Sequence, residues 1–288
     1  MEDSPNGKSR CNVLKTASLT SLGLALPVGT VSASSKGKEN DAVEVVTTKS
    51  STSIGPDSSG LSKKEHEAYI ERMGEKYGSD AVRNASLMRA GSSSGGGADE
   101  EPDRAKNLTY QTAWTEHLEC KDNDGTVMVE SDNTITFYES DTEDEYGRRH
   151  YFYWHWTAGQ SRDYKSFTGN LWGMWNRARE NSGNDMVQYA PTNDLTRNGE
   201  EYTISLSAQY QGVGVAIEGD FTLNQDKVRP HPDYTEVGNN GEFAVQWVGD
   251  YEGSQGFVGA SETRRPEGNS RDLDWTVSLS GGKYKKTY

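Results

Sequence analysis

The stretch Tyr202-Thr203-Ile204-Ser205-Leu206-Ser207-Ala208-Gln209-Tyr210 alternates apolar and polar residues without a break. A period of two belongs to a β-strand with one buried face, because successive side chains leave the pleated backbone on opposite sides. After Gln211-Gly212 the phase changes, and Val213, Val215, Ile217, Phe221 and Leu223 take the apolar positions. A phase change at glycine indicates a tight turn or a bulge, so residues 202–223 read as a hairpin or as one long bent strand.

The same signal recurs on both sides of this pair. Strands are expected at Tyr110–Leu118, Thr126–Glu130, Thr134–Tyr138, Arg149–Thr157, Phe243–Val248, Gly256–Thr263 and Asp272–Leu279. Turn dipeptides such as Asp124-Gly125, Asn198-Gly199 and Asn240-Gly241 separate them. Many short strands with polar turns predict a mainly β domain over residues 108–288, an antiparallel β-sandwich or barrel. Leu171–Glu180 reads as an interruption, a short helix stopped by Gly183.

Towards the amino terminus the pattern becomes helical. Ser62-Lys63-Lys64-Glu65 is a capping-box sequence, and Tyr69, Met73 and Tyr77 follow at helical spacing with His66 and Ile70 alongside. Gly78 ends that helix, and Ala81, Val82, Leu87 and Met88 suggest a second, so residues 62–90 are expected to form a helical hairpin. GSSSGGGADEEPD at 91–103 marks a Gly/Ser/acidic linker running to 107. Residues 34–61 are rich in Ser, Thr, Lys and acids and are expected to be a disordered tether.

The first 33 residues carry an address. Ser9-Arg10-Cys11-Asn12-Val13-Leu14-Lys15 precedes a moderately apolar run, Thr16 to Val31, and then Val31-Ser32-Ala33. This segment resembles a haloarchaeal twin-arginine signal peptide: Ser9, Arg10, Leu14 and Lys15 match that pattern, while Cys11 stands in place of its second arginine. The resemblance implies export, with cleavage after Ala33. It covers only the leader and implies nothing about activity. Pro27, Gly23 and Gly29 make the run a poor membrane span, so no stable span is expected once the signal is removed. Asn84 and Asn107 lie in N-x-S/T sequons, candidates for surface glycosylation of an exported chain.

Composition narrows the function. The 288 residues carry a formal net charge of -14, which repels phosphate backbones and argues against a nucleic-acid partner. An acidic surface also suits concentrated salt, where repulsion is screened within about 3 Å at 1 M. With Cys11 in the leader, the mature chain would hold Cys120 alone, a packed residue and not half of a disulfide.

Catalytic and metal templates find no match. Gly212-Val213-Gly214 lacks the helix of a phosphate-binding loop, Asp122-Asn123-Asp124-Gly125 lacks the glycine placement of an EF-hand, and no nucleophile elbow is present. The acids Asp141, Glu143, Asp144 and Glu145 read as a solvated turn. His66, His117, His150, His155 and His231 show no zinc-finger spacing, and His150 and His155, five apart, point to opposite faces of a strand. No metal, cofactor or catalytic residue is assigned. Glu116, Glu218 and Glu242 are the carboxylates a dispersed hydrolase site would draw on.

Aromatic residues concentrate between 146 and 175, with rings on both faces of the Arg149–Thr157 strand. Either that strand is buried on both faces, with Trp172 and Trp175 as a helical lid, or one face is offered to a partner. On the second reading Tyr153, Trp154, Trp156, Trp172 and Trp175 are the ligand-binding candidates. The expected function is an exported, non-enzymatic module that binds glycan or protein outside the cell. The alternatives are a secreted toxin or antimicrobial protein processed from a precursor, and a hydrolase.

Overall fold

The structure is a computed structural model that describes residues 44–82, 85, 105–266 and 268–285. The leader, with Arg10, Cys11, Leu14, Lys15 and Ala33, lies outside these residues, as do Asn84, Leu87, Met88 and positions 91–104. The described chain runs β1 (Glu44–Ile54), α1 (Lys63–Tyr77), α2 (Ser79–Val82), β2 (Ala105–Lys106), β3 (Leu108–Lys121), β4 (Val127–Ser140), β5 (His150–Ser161), β6 (Phe167–Glu180) and β7 (Asp185–Ala190). It continues with β8 (Glu201–Tyr210), β9 (Val213–Thr222), β10 (Lys227–Glu236), β11 (Gly238–Asn239), β12 (Glu242–Tyr251), β13 (Ser254–Arg264) and β14 (Leu273–Lys285).

The protein is mainly β, and the paired strands are antiparallel. A five-stranded sheet has the order β1-β14-β6-β12-β10, a six-stranded sheet β11-β7-β13-β5-β4-β3, and a three-stranded sheet β2-β9-β8. Each keeps two edges among the described residues, so none closes into a barrel. The alternation that opened the sequence reading holds: β8 and β9 form a hairpin in which Ile204, Leu206, Tyr210, Val215, Ile217 and Phe221 are buried. Gln211 and Gly212 make its turn with φ of 49° and 83°, and the glycine takes the second left-handed position without a Cβ penalty.

Side chains of the five- and six-stranded sheets meet in a core with a polar centre. From β5, His155 Nδ1 donates to Asn176 Oδ1 of β6 at 3.1 Å, and Tyr153 Oη donates to Glu180 at 2.5 Å. Asn176 Oδ1 also accepts from Trp275 Nε1, and its amide donates to the carbonyls of Thr134 and Trp156. Every hydrogen-bonding atom of the Asn176 side chain is therefore engaged, as a buried amide requires. The opposite face of β5 is covered too: Trp156 Nε1 donates to the Ala81 carbonyl of α2, and His150 stacks on Tyr210 of β8. His150 and His155 thus point to opposite sides, as their odd spacing requires.

Several expectations are corrected. Residues 44–54, placed in a tether, are strand β1, which pairs along its whole length with β14. Its Ser and Thr side chains suit an edge strand with a wet face, and Ile54 anchors it in the core. Leu171–Glu180 is not a helix but part of β6. From residue 174 onward its buried positions are Met174, Asn176, Ala178 and Glu180, and the period of two is disguised in the sequence because two of these four are polar. The expected strands at 126–130 and 134–138 are one strand, β4, because Ser131, Asp132 and Asn133 stay in the ladder with their side chains bonded instead of turning. Residues 105–106, assigned to the linker, form β2.

The capping box forms: Ser62 Oγ accepts from the Glu65 amide while Glu65 accepts from the Ser62 hydroxyl at 2.7 Å and from the Ser62 amide at 2.9 Å, and these two bonds, the hydroxyl's first, hold the Glu65 carboxyl below its usual range. His66, Ile70 and Tyr77 of α1 are buried. Among the described residues α2 spans Ser79–Val82; apart from Ala85, the remainder of the second helix expected up to residue 90 lies outside them.

Candidate functional site

Burial removes three of the proposed binding residues from contention. Tyr153, Trp154 and Trp156 are 0–1% exposed and sit in the core, so no ligand can stack on them. The strand is covered on both faces, but by sheets and helices and not by the expected helical lid. Trp172 and Trp175 are partly exposed on β6, and Trp175 organises a surface.

The strand registers bring distant residues into one row. Lys49 of β1 lies opposite Ser278 of β14, which lies opposite Trp175 of β6, then Gln246 of β12 and Arg229 of β10. These five side chains cross the whole sheet on the face opposite Met174, Asn176, Val245, Trp247 and Val277, which are buried in the core; Ser278 and Gln246 are themselves covered, while Lys49 is exposed and Trp175 and Arg229 are partly so. Ser51 and Thr276, joined by a 3.0 Å hydrogen bond, and Thr47 and Ser280, joined at 2.9 Å, carpet the same face with hydroxyls.

Trp175 is walled on one side. The register of β10 slips between Pro230 and Thr235, and the residues released from the ladder carry rings over the sheet. His231 and Tyr234 lie 6.0 and 5.5 Å from the Trp175 ring and 4.5 Å from each other. Prolines at 230 and 232 cannot complete a ladder, which is why this edge strand is irregular.

The face is cationic although the chain is acidic. Lys49 Nζ is 5.2 Å from the Trp175 ring centre, and Arg177 lies 4.5 Å above Tyr234. Arg177 is held by Glu242, with Nε 2.6 Å from Oε2. With the Gln246 amide oxygen turned towards it, Arg229 donates from Nε at 2.6 Å. Burial lowers the pKa of His231, and the charges of Arg229, Lys49 and Arg177 lower it further against the pull of Asp233. The result is an aromatic platform ringed by donors and hydroxyls, suited to a ring stacked on Trp175 with hydrogen-bonding groups at its edge.

The remaining candidates do not converge. Glu116, Glu218 and Glu242 sit on three different sheets. Of the acids at 141–145, Asp141 and Glu143 line part of a polar groove of about 480 Å³ with Arg149 and Gln211, but Arg149 is paired with Glu139 and Glu143, and Asp144 with Arg148. Cys120 is fully buried, with Sγ 3.4 Å from the carbonyls of Val46 and Leu279, and burial raises its pKa. Asn107 donates its side-chain amide to the Gly214 carbonyl at 2.6 Å, so the nitrogen that glycosylation would modify is already bonded.

Sequence reasoning reached Trp175 but missed Lys49, Arg229, His231, Tyr234, Gln246 and Ser278. Their proximity depends on strand order, and the Pro-rich β10 and Ser/Thr-rich β1 gave no strand signal. Compared with known proteins, the chain matches no protein-family model and no curated protein is similar to it in sequence.

Proposed function

We propose that this protein is an exported binding module of sandwich architecture that recognises glycan through the Trp175 face of its five-stranded sheet. The sandwich reading is supported by the hydrogen bonds and packed rings that join the five- and six-stranded sheets. Export rests on the leader. The observation that carries the function is the row Lys49–Ser278–Trp175–Gln246–Arg229, in which the partly exposed Trp175 ring lies between the cationic donors Lys49 and Arg229. A sugar offers an apolar ring face and an equatorial rim of hydroxyls, and this row supplies the complement to both. The cationic surround favours sugars bearing carboxylate or sulfate groups.

The processed-precursor alternative is not favoured, because β1 and α1 belong to the packed structure that such processing would remove. The test is a glycan array probed with the purified chain and with Trp175→Ala. The variant is expected to lose about 5- to 150-fold in affinity, the loss of one stacked ring being worth about 1–3 kcal/mol by analogy with base stacking, while its circular dichroism is unchanged. Equal array binding by both proteins would remove Trp175 from the site.

A further inference from the structure

On the outer face of β3 and β4, away from the Trp175 surface, four side chains form a square. His117 of β3 lies directly opposite Asp132 of β4, and Glu119 directly opposite Glu130. Two-residue spacing on each strand puts all four on one face. Asp132 is buried beneath α1, where it accepts from Tyr77 Oη and Lys76 Nζ, each at 2.7 Å. It also accepts from His117 Nδ1 at 3.2 Å. A carboxylate can only accept, so Nδ1 carries a proton and Nε2 turns outward.

That nitrogen faces oxygens. Nε2 is 3.6 Å from Glu119 Oε1 and 3.8 Å from Glu130 Oε2, and the three ligating groups lie within 4.8 Å of one another. Glu119 and Glu130 are like charges directly opposite in the ladder, an arrangement that is unfavourable unless a cation lies between them. Two ligands of a tetrahedral ion bound at about 2.1 Å are about 3.4 Å apart, so small side-chain rotations close the set. Lys76 reaches Glu130 Oε2 at 3.1 Å, Lys121 reaches Glu119 Oε2 at 2.8 Å, and Arg162 pairs with the other Glu130 oxygen. Lys76 is the cation that competes for the shared position, and its shorter bond to Asp132 lets it withdraw without losing its anchor.

We propose that His117 Nε2, Glu119 and Glu130 form a site for a zinc-like divalent transition metal, with Asp132 as the positioning residue that fixes the His117 tautomer. An imidazole and two carboxylates suit a borderline metal better than calcium, which takes oxygen ligands. His117 is 42% exposed, so the fourth position faces solvent.

The test uses the full chain, stripped with chelator and titrated with zinc chloride in a calorimeter at pH 7.5. Binding of a single zinc ion per chain is expected, lost in His117→Ala and weakened about 10- to 100-fold in Asp132→Asn. Lys76→Gln should bind zinc more tightly than the parent chain, a change that a merely structural cluster would not produce. Absence of zinc binding by the parent chain overturns the proposal, as does weak multi-site binding that persists unchanged in His117→Ala.

Discussion

His155 shows how a single side chain ties the core of this protein to pH. Its ring is fully buried, with Nδ1 donating to Asn176 and Nε2 facing the Ser261 hydroxyl at 3.1 Å. Burial moves its pKa from 6.5 down to about 4, against the smaller opposing effect of the Asn176 hydrogen bond. The folded state holds the neutral form, while the unfolded chain takes up a proton once the pH falls below 6.5. Stability is therefore full above pH 6.5, declines as the pH falls from 6.5 to about 4, and from this residue declines no further below that. The loss is on the order of 3 kcal/mol. His66, also lowered to about 4 by burial, adds in the same direction. Urea unfolding at a series of pH values between 7.5 and 4 should show this slope, and His155→Gln should make it shallower. An unchanged slope in the variant would mean that other groups carry it.

Among the elements, β1 matters most for how the molecule closes. Its sequence, EVVTTKSSTSI, has too few apolar residues to declare a strand. Its hydrogen bonds to β14 complete the five-stranded sheet and cover Cys120, which approaches the Val46 carbonyl and the Thr48 hydroxyl. Proline at position 48 would remove the Thr48 amide and hydroxyl that meet Cys120 and distort this edge. In the parent chain Cys120 should react with a thiol reagent only as fast as the protein opens. In Thr48→Pro it should react faster, by at least about tenfold if the edge loses some 1.4 kcal/mol of local stability. Equal rates would show that β1 does not guard the thiol. The same strand supplies Lys49 to the Trp175 row, so one element serves both the closure of the sheet and the proposed site.

At the scale of the whole molecule, charge is unevenly distributed. The chain carries a formal net charge of -14, yet the face around Trp175 carries Lys49 and Arg229 beside the Arg177–Glu242 ion pair. Such a patch attracts anionic groups while the remaining surface repels them, which gives selectivity at short range. Binding of a sulfated or uronic-acid glycan should weaken as salt is raised from 0.1 to 1 M, since the screening length shrinks from about 10 Å to about 3 Å. Arg229→Gln should reduce that salt dependence while keeping the stacking contribution of Trp175. Affinity measured across a salt series in both proteins decides this, and an identical dependence in the two would place the charge recognition elsewhere.

What the sequence by itself determined was local. The alternation at 202–210 and 213–223, the turn at Gln211-Gly212 and the Ser62/Glu65 cap each depend on residues within a few positions of one another, so short-range periodicity and capping chemistry suffice to read them. Strands β5, β12, β13 and β14 were legible for the same reason. Tertiary structure decided the rest. Asn176 and Glu180 are acceptable inside β6 only because partners from other strands satisfy them, so a polar pattern that reads as a helix becomes a strand. Trp154 and Trp156 look like a binding surface until α2 and the three-stranded sheet cover the second face of β5. Lys49 and Arg229 are 180 residues apart, and His117 and Glu130 lie on separate strands; strand order and register alone make them neighbours. Local pattern states what a residue can pair with, but the identity of that partner is a property of the folded chain, because the pairing energies that select it act between segments that the sequence keeps far apart.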